Sequence, residues 1–217
     1  MRQLAVDPIP PSVTCDVGEY DTNLFSPSGL HAGYPNKILS FRCPNGNTNE
    51  KFIEFQLKSL HDRLGHSSVL YRGITCITEF IHALAVGAFL VPNPSADFGH
   101  GMYFTSDFNY AKLYAEEGGC VAIYEWNGPG QCSMREVVGD DWQQYVKWHC
   151  GHTNVNVTIP RPPMYSEDFL SGAISVDTFA TWECNRPVPT NKIQIVAKTA
   201  RAVETMASRL VGVVCVA

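Results

Sequence analysis

Between Glu50 and Leu64 the apolar residues Phe52, Ile53, Leu57, Leu60 and Leu64 recur at helical spacing with charges between them, and Gly65 stands where a helix end favours glycine. This predicts a helix leading into a short apolar run, Val69-Leu70-Tyr71, which reads as a buried strand ending in Arg72-Gly73. Thr75 or Thr78 then caps a second helix through Phe80, Ile81, Leu84 and Ala85, ending near Gly87. The stretch 91–98, with two prolines, reads as a loop hanging over whatever the strands enclose. A further strand ends Met102-Tyr103-Phe104, with Phe108, Ala111, Tyr114 and Ala115 on one side of the helix behind it. Cys120 to Trp126 reads as an alternating strand, 142–148 as a short helix, and 151–167 as loop with a brief strand at Val155-Val157-Ile159. A proline-rich connector at 183–189 precedes a core strand at Gln194, followed by a helix over 199–210 and a buried final strand in the run from Leu210. Residues 1–46, rich in Pro, Ser, Gly and Asn, read as an irregular extension with one short strand at 37–41, and 47–217 as the folded domain. The sum is an α+β fold with a mostly antiparallel sheet and flanking helices.

Gly99 and Gly101 flank His100 immediately before Met102-Tyr103-Phe104. Glycines at a strand entrance let backbone approach a flat ligand, because no Cβ intervenes. Thr105 or Ser106 can cap the next helix, with Asp107 in its first turn where the dipole favours an anion. Tyr103 from the strand and Tyr114 from the helix could sandwich an aromatic heterocycle. Packing in an ordinary core is the alternative reading of Tyr103, Phe104, Phe108 and Tyr114. Arg72 tips the balance, since a cation directly after an apolar run is costly unless it meets an anion or water, and its planar fork suits a phosphate or a ribose edge.

Three segments resemble the ADP-ribosyltransferase superfamily, which includes the poly(ADP-ribose) polymerases and mono-ADP-ribosylating toxins. They are Leu70-Tyr71-Arg72-Gly73; Gly99-His100-Gly101-Met102-Tyr103-Phe104 with Ala111-Lys112-Leu113-Tyr114-Ala115; and Gln194-Ile195-Val196-Ala197-Lys198-Thr199-Ala200-Arg201-Ala202. The last, with 140–146 and 168–174, is most similar to an uncharacterised microbial and fungal family of such domains. The match runs from about Val69 to Met206. The resemblance implies a split sheet cradling NAD as substrate, and transfer of ADP-ribose to a protein acceptor after cleavage of the nicotinamide N-glycosidic bond. Arg72, Tyr103 and Gln194 would carry the chemistry. Tyr71, Arg72, Gly73, Gly99, His100, Gly101, Tyr103, Phe104, Ala111 and Tyr114 would line the NAD site, with Gly73 holding the carboxamide and the two tyrosines stacking on nicotinamide. Active members present a Glu on the last core strand, whereas this chain has Gln194, or Ile193 if the register slips by one. Gln can hold a ribose hydroxyl but brings no charge to a cation. Asp177 or Glu183 could supply the missing carboxylate, with Glu79 and Glu125 as weaker candidates, and restoring Gln194→Glu is expected to raise turnover. An NAD glycohydrolase and a catalytically degenerate module binding NAD, ADP-ribose or a partner are the alternatives. A toxin or effector role is common in similar proteins.

The 217 residues suffice to bury one sizeable core. A net charge of −5 with no run of Lys or Arg disfavours nucleic acid as a partner. No apolar run reaches the length of a membrane span. The start lacks the apolar stretch of a signal peptide, consistent with a cytoplasmic or an already processed, secreted effector protein. Eight cysteines without a CxxC pair argue against zinc, the His149-Cys150-Gly151-His152 group reads as chance, and no metal is expected.

Overall fold

The computed structural model describes residues 16–21, 37–42, 68–86, 96–115, 118–151, 161–176 and 187–215. In chain order the elements are β1 (Asp16–Asp21), β2 (Lys37–Arg42), β3 (Ser68–Ile74), α1 (Ile77–Val86), β4 (Met102–Thr105), α2 (Phe108–Leu113), β5 (Cys120–Trp126), β6 (Met134–Glu136), α3 (Gly139–Gly151), β7 (Phe169–Ser175), β8 (Pro189–Ala197), α4 (Ala200–Ala207) and β9 (Leu210–Cys215). The helix expected over 50–64 and the brief strand at 155–159 lie outside the described residues, as do Asp177 and Glu183.

Among the described residues one sheet of nine strands runs in the order β1-β2-β9-β5-β3-β4-β8-β7-β6. Its pairings are antiparallel except β2 with β9 and β6 with β7. The class is therefore α+β with a mostly antiparallel sheet. Within the segment expected to be irregular, β1 and β2 form a hairpin, and β2 joins the sheet by pairing Leu39–Arg42 with Gly212–Cys215 of β9. Composition could not reveal this, because the partner of β2 is the far end of the chain.

The middle of the sheet is β5, β3 and β4. Cys120 through Tyr124 of β5 are all buried, so this strand is covered on both faces rather than half-exposed as its alternation suggested. On one face Leu70, Ile74, Met102, Phe104, Tyr124 and Ile195 pack with Phe80 of α1 and with Ala202, Val203 and Met206 of α4. On the other face Val69, Tyr71, Val121 and Ile123 pack with Phe108 and Ala111 of α2. Further along that second face, Leu170 and Val196 meet Trp142, Tyr145 and Val146 of α3, with Phe98 between them.

Local chemistry sets the helix ends. Asp107, expected in the first turn of α2, is its N-cap, accepting the Tyr110 N–H at 2.7 Å. Thr105 Oγ1 instead accepts the Asp107 N–H at 3.1 Å and donates to the Ile193 carbonyl at 3.2 Å, tying β4 to β8. Thr199 caps α4 through the Ala202 N–H at 3.2 Å. That helix stops at Ala207, short of the expected Leu210, because Leu210 is fully buried as the first residue of β9 against Tyr124. The helix expected over 142–148 extends in both directions to span Gly139–Gly151.

Candidate functional site: a cavity where two strands part

β3 pairs along its whole length with β5, from Ser68↔Trp126 to Ile74↔Cys120, but meets β4 only at Tyr71↔Thr105. Beyond that pair the residues of the two strands, Arg72 to Ile74 and Tyr103 to Phe104, line a cavity of about 710 Å³. That volume lies in the range of small-molecule sites. Side chains alternate along strands, so the parting collects residues from both faces of the sheet. Arg72 and Phe104 come from the α1/α4 side, and Tyr103 and Gln194 from the α2/α3 side.

The cavity brings together Tyr71, Arg72, Gly73, Gly101, Tyr103, Phe104, Ala111, Tyr114 and Gln194. Gly99 and His100 do not line it. His100 is exposed, and its carbonyl accepts from Lys198 Nζ. Gly99 has φ +67°, and a Cβ there would lie 2.4 Å from the His149 ring. That glycine closes a turn against α3 rather than opening space for a ligand. Gly73 is likewise occupied by protein: an added Cβ would stand 2.0 Å from the Ala111 carbonyl oxygen and 2.8 Å from Tyr114 Cβ. Its bareness lets α2 lie directly on β3. Tyr71 is buried and meets Phe108 edge-on with ring centroids 5.4 Å apart, and Phe104 meets Tyr124 edge-on at 5.0 Å, so both act mainly as walls of the core.

The two tyrosines proposed to stack differ in freedom. The Tyr103 hydroxyl accepts the Phe98 N–H at 3.0 Å and donates to the Gly99 carbonyl at 2.6 Å, and burial pushes its pKa well above the ordinary value. The side chain is clamped to the 97–101 loop. Tyr114, the C-cap of α2, is 55% exposed at the mouth. Its partner is Tyr110, one helical turn earlier, with hydroxyls 2.9 Å apart and ring centroids 5.4 Å apart. Tyr110 lines the cavity too, and the Lys192 ammonium sits 5.6 Å over its ring while pairing with Asp107. Partial burial raises the Asp107 carboxyl pKa, but the Lys192 pair and the Tyr110 N–H outweigh this and hold it below the usual range. Arg72 is half-buried, none of the described carboxylates forms an ion pair with it, and it is the sole cation among the described lining residues.

Ile193 points outward, 45% exposed, while Gln194 is buried and lines the cavity, so the register of β8 puts Gln194 on the cavity side. Gln194 Nε2 donates to Asp97 Oδ2 at 2.8 Å and to the Ala173 carbonyl at 3.2 Å. Asp97, like Tyr110, lines the cavity without having been marked from the sequence. It is buried and also accepts the Ser175 N–H at 2.8 Å and the Ser175 hydroxyl at 2.6 Å. The Cys150 thiol faces Asp97 Oδ1 at 3.7 Å, and burial with this carboxylate beside it pushes the thiol pKa up. His149 goes elsewhere, against Tyr145 at 4.6 Å, so the His149/Cys150 pair does not converge. Glu79 lines the rim and accepts from Thr75 Oγ1 at 3.3 Å, whereas Glu125, in β5, is not part of the lining. Among the described residues no cluster of His, Cys, Asp and Glu has the form of a metal site, and no helix is long and apolar enough to cross a membrane.

No family model matches the chain, and no curated protein matches it in sequence.

Proposed function

We propose that the protein is an NAD-dependent mono-ADP-ribosyltransferase that cleaves the nicotinamide N-glycosidic bond and transfers ADP-ribose to a protein acceptor. The supporting observation is the cavity at the parting of β3 and β4, where one cation, four tyrosines and a buried glutamine converge. In this reading nicotinamide stacks against the exposed ring of Tyr114 and the adjoining Tyr110, with Tyr103 fixing the opposite wall. Arg72 meets the diphosphate or the ribose, its charge being the only positive one at hand among the described lining residues. Gln194 offers a neutral amide to a ribose hydroxyl. The N-glycosidic bond breaks with its electrons leaving on the nicotinamide nitrogen, and the ribosyl cation is captured by an acceptor side chain.

One observation favours a second reading, a module that binds NAD or ADP-ribose without turning it over, or that cleaves it only to water. Of the two carboxylates among the described lining residues, Asp97 is committed to Ser175, Gln194 and Cys150, and Glu79 stands at the rim. Incubation with NAD labelled in the adenylate moiety separates these outcomes. Label retained on protein supports transfer, free ADP-ribose supports hydrolysis, and intact NAD that nevertheless binds supports the module.

A further inference from the structure

The amide of Gln194 has a fixed polarity, and Asp97 fixes it. Its two Nε2 contacts are the Asp97 carboxylate at 2.8 Å and the Ala173 carbonyl at 3.2 Å, groups that here serve as acceptors. Both therefore demand the NH₂ end, and swapping Nε2 with Oε1 would set oxygen against oxygen at two places. With the NH₂ consumed, the group that Gln194 turns to the cavity is Oε1. Asp97 can enforce this because it is itself immobilised. One oxygen accepts the Ser175 hydroxyl at 2.6 Å with the Cys150 thiol at 3.7 Å, and the other accepts the Ser175 N–H at 2.8 Å with Gln194 Nε2. Ser175 is the last residue of β7, so loop 96–98, β7 and β8 are joined through one buried carboxylate.

We infer that Asp97 is a positioning residue, which locks the Gln194 amide so that the cavity floor presents a hydrogen-bond acceptor and selects a ligand group that donates, such as a sugar hydroxyl. This rests on the proposed function for the identity of the ligand but not for the lock itself. Asp97 does not reach the ligand, since its oxygens are taken by the protein. It acts by denying Gln194 its other orientation, in which an outward NH₂ would repel the same donor. A structural role alone would require only that the buried carboxylate be satisfied.

The test reads the lock directly, before any ligand is added. In a ¹H–¹⁵N spectrum of the full chain, the side-chain NH₂ of Gln194, assigned by its loss in Gln194→Met, is expected to exchange with water at least about tenfold more slowly than the exposed glutamine amides. Asp97→Ala removes both acceptor oxygens, so it is expected to abolish that protection and shift both proton resonances, whereas Asp97→Asn, whose carbonyl oxygen stays on the Ser175 N–H, is expected to retain it. Ser175→Ala removes one of the donors to Asp97 but leaves the Gln194 contact, so it is expected to keep the protected signal even where it lowers Tm. NAD affinity should fall about ten- to a hundredfold in Asp97→Ala and much less in Ser175→Ala. A Gln194 amide that exchanges freely in the wild type, or that is unchanged in Asp97→Ala, overturns the inference. Wild-type protein that shows the protected amide but does not bind NAD overturns the proposed function and leaves the lock standing.

Discussion

Replacing Gln194 by Glu is the change that resemblance recommends and that the structure penalises. The new carboxylate would stand about where Nε2 now stands, 2.8 Å from Asp97 Oδ2, and would also face the Ala173 carbonyl. Two full charges at that distance repel by about 6 kcal/mol at an effective dielectric constant of about 20. Keeping one proton on the pair is cheaper. Holding a carboxyl with an ordinary pKa of about 4.3 neutral at pH 7 costs about 4 kcal/mol. The shared proton returns a hydrogen bond worth about 1 kcal/mol, while the contact to Ala173 is lost at a similar cost, so about 3 to 4 kcal/mol remains. For a chain of this size that corresponds to a fall in Tm of roughly 10 °C. The sign of the pH dependence follows from the same proton. The folded variant binds it above the unfolded pKa, so the penalty grows as pH rises and shrinks to about 1 kcal/mol at pH 5. Chemical denaturation of wild type and variant at pH 5 and 7 measures this. Nicotinamide release should not rise in the single variant, contrary to expectation from the sequence. A Gln194→Glu protein as stable as wild type at pH 7, or one whose deficit is independent of pH, would refute the reasoning.

Gly73→Ala should destabilise by about 1–3 kcal/mol through overpacking, because its Cβ would meet the Ala111 carbonyl, and should weaken ligand binding by lifting α2 with Tyr110 and Tyr114 off β3; thermal melts with and without NAD read both effects. Tyr110→Phe removes the hydroxyl that bonds Tyr114 and is expected to lower NAD affinity severalfold with a Tm change near zero, measured by calorimetric titration. Lys198 donates to the carbonyls of Phe98 and His100, and burial lowers its pKa to about 8 from 10.5. Between those values the unfolded chain holds a proton that the folded one has released, so the group makes stability rise with pH across that window. The stability of wild type relative to Lys198→Met should therefore improve from pH 7.5 to 10, and a difference that shrinks over that range would contradict the assignment.

What could be read in the chain was what depends on near neighbours. The apolar runs at 69–71, 102–104 and 120–126 gave strands, the spacing of Phe80 and its neighbours gave α1, and the C-terminal run gave β9. Most of the residues marked for the site converge on one cavity, because strand ends and a following helix keep their relation over short stretches of sequence. The failures were long-range. Asp97 lies in a segment with two prolines that reads as a loop hanging over the pocket, but its burial is decided by Ser175 and Gln194, which lie 78 and 97 residues away. β6 has no apolar alternation, all three of its residues are exposed, and only its pairing with β7 makes it a strand. Tyr110 was within reach, since it stands at the i, i+4 position from Tyr114 on the same helix. The glycines showed only part of their role: Gly99 read as letting backbone approach a ligand and Gly73 as holding a carboxamide, while their bareness also makes room for His149 and α2.

The most direct test of the account is nicotinamide release from NAD by the purified protein, with Arg72→Ala beside it as the loss of the cavity's lone described cation. Release by the wild type is expected, with a fall in kcat/KM of about ten- to a hundredfold in Arg72→Ala, the worth of one charge-assisted contact. Release that is unchanged in Arg72→Ala would contradict the placing of the chemistry in the cleft between β3 and β4, and no release from wild-type protein would contradict the enzymatic reading itself.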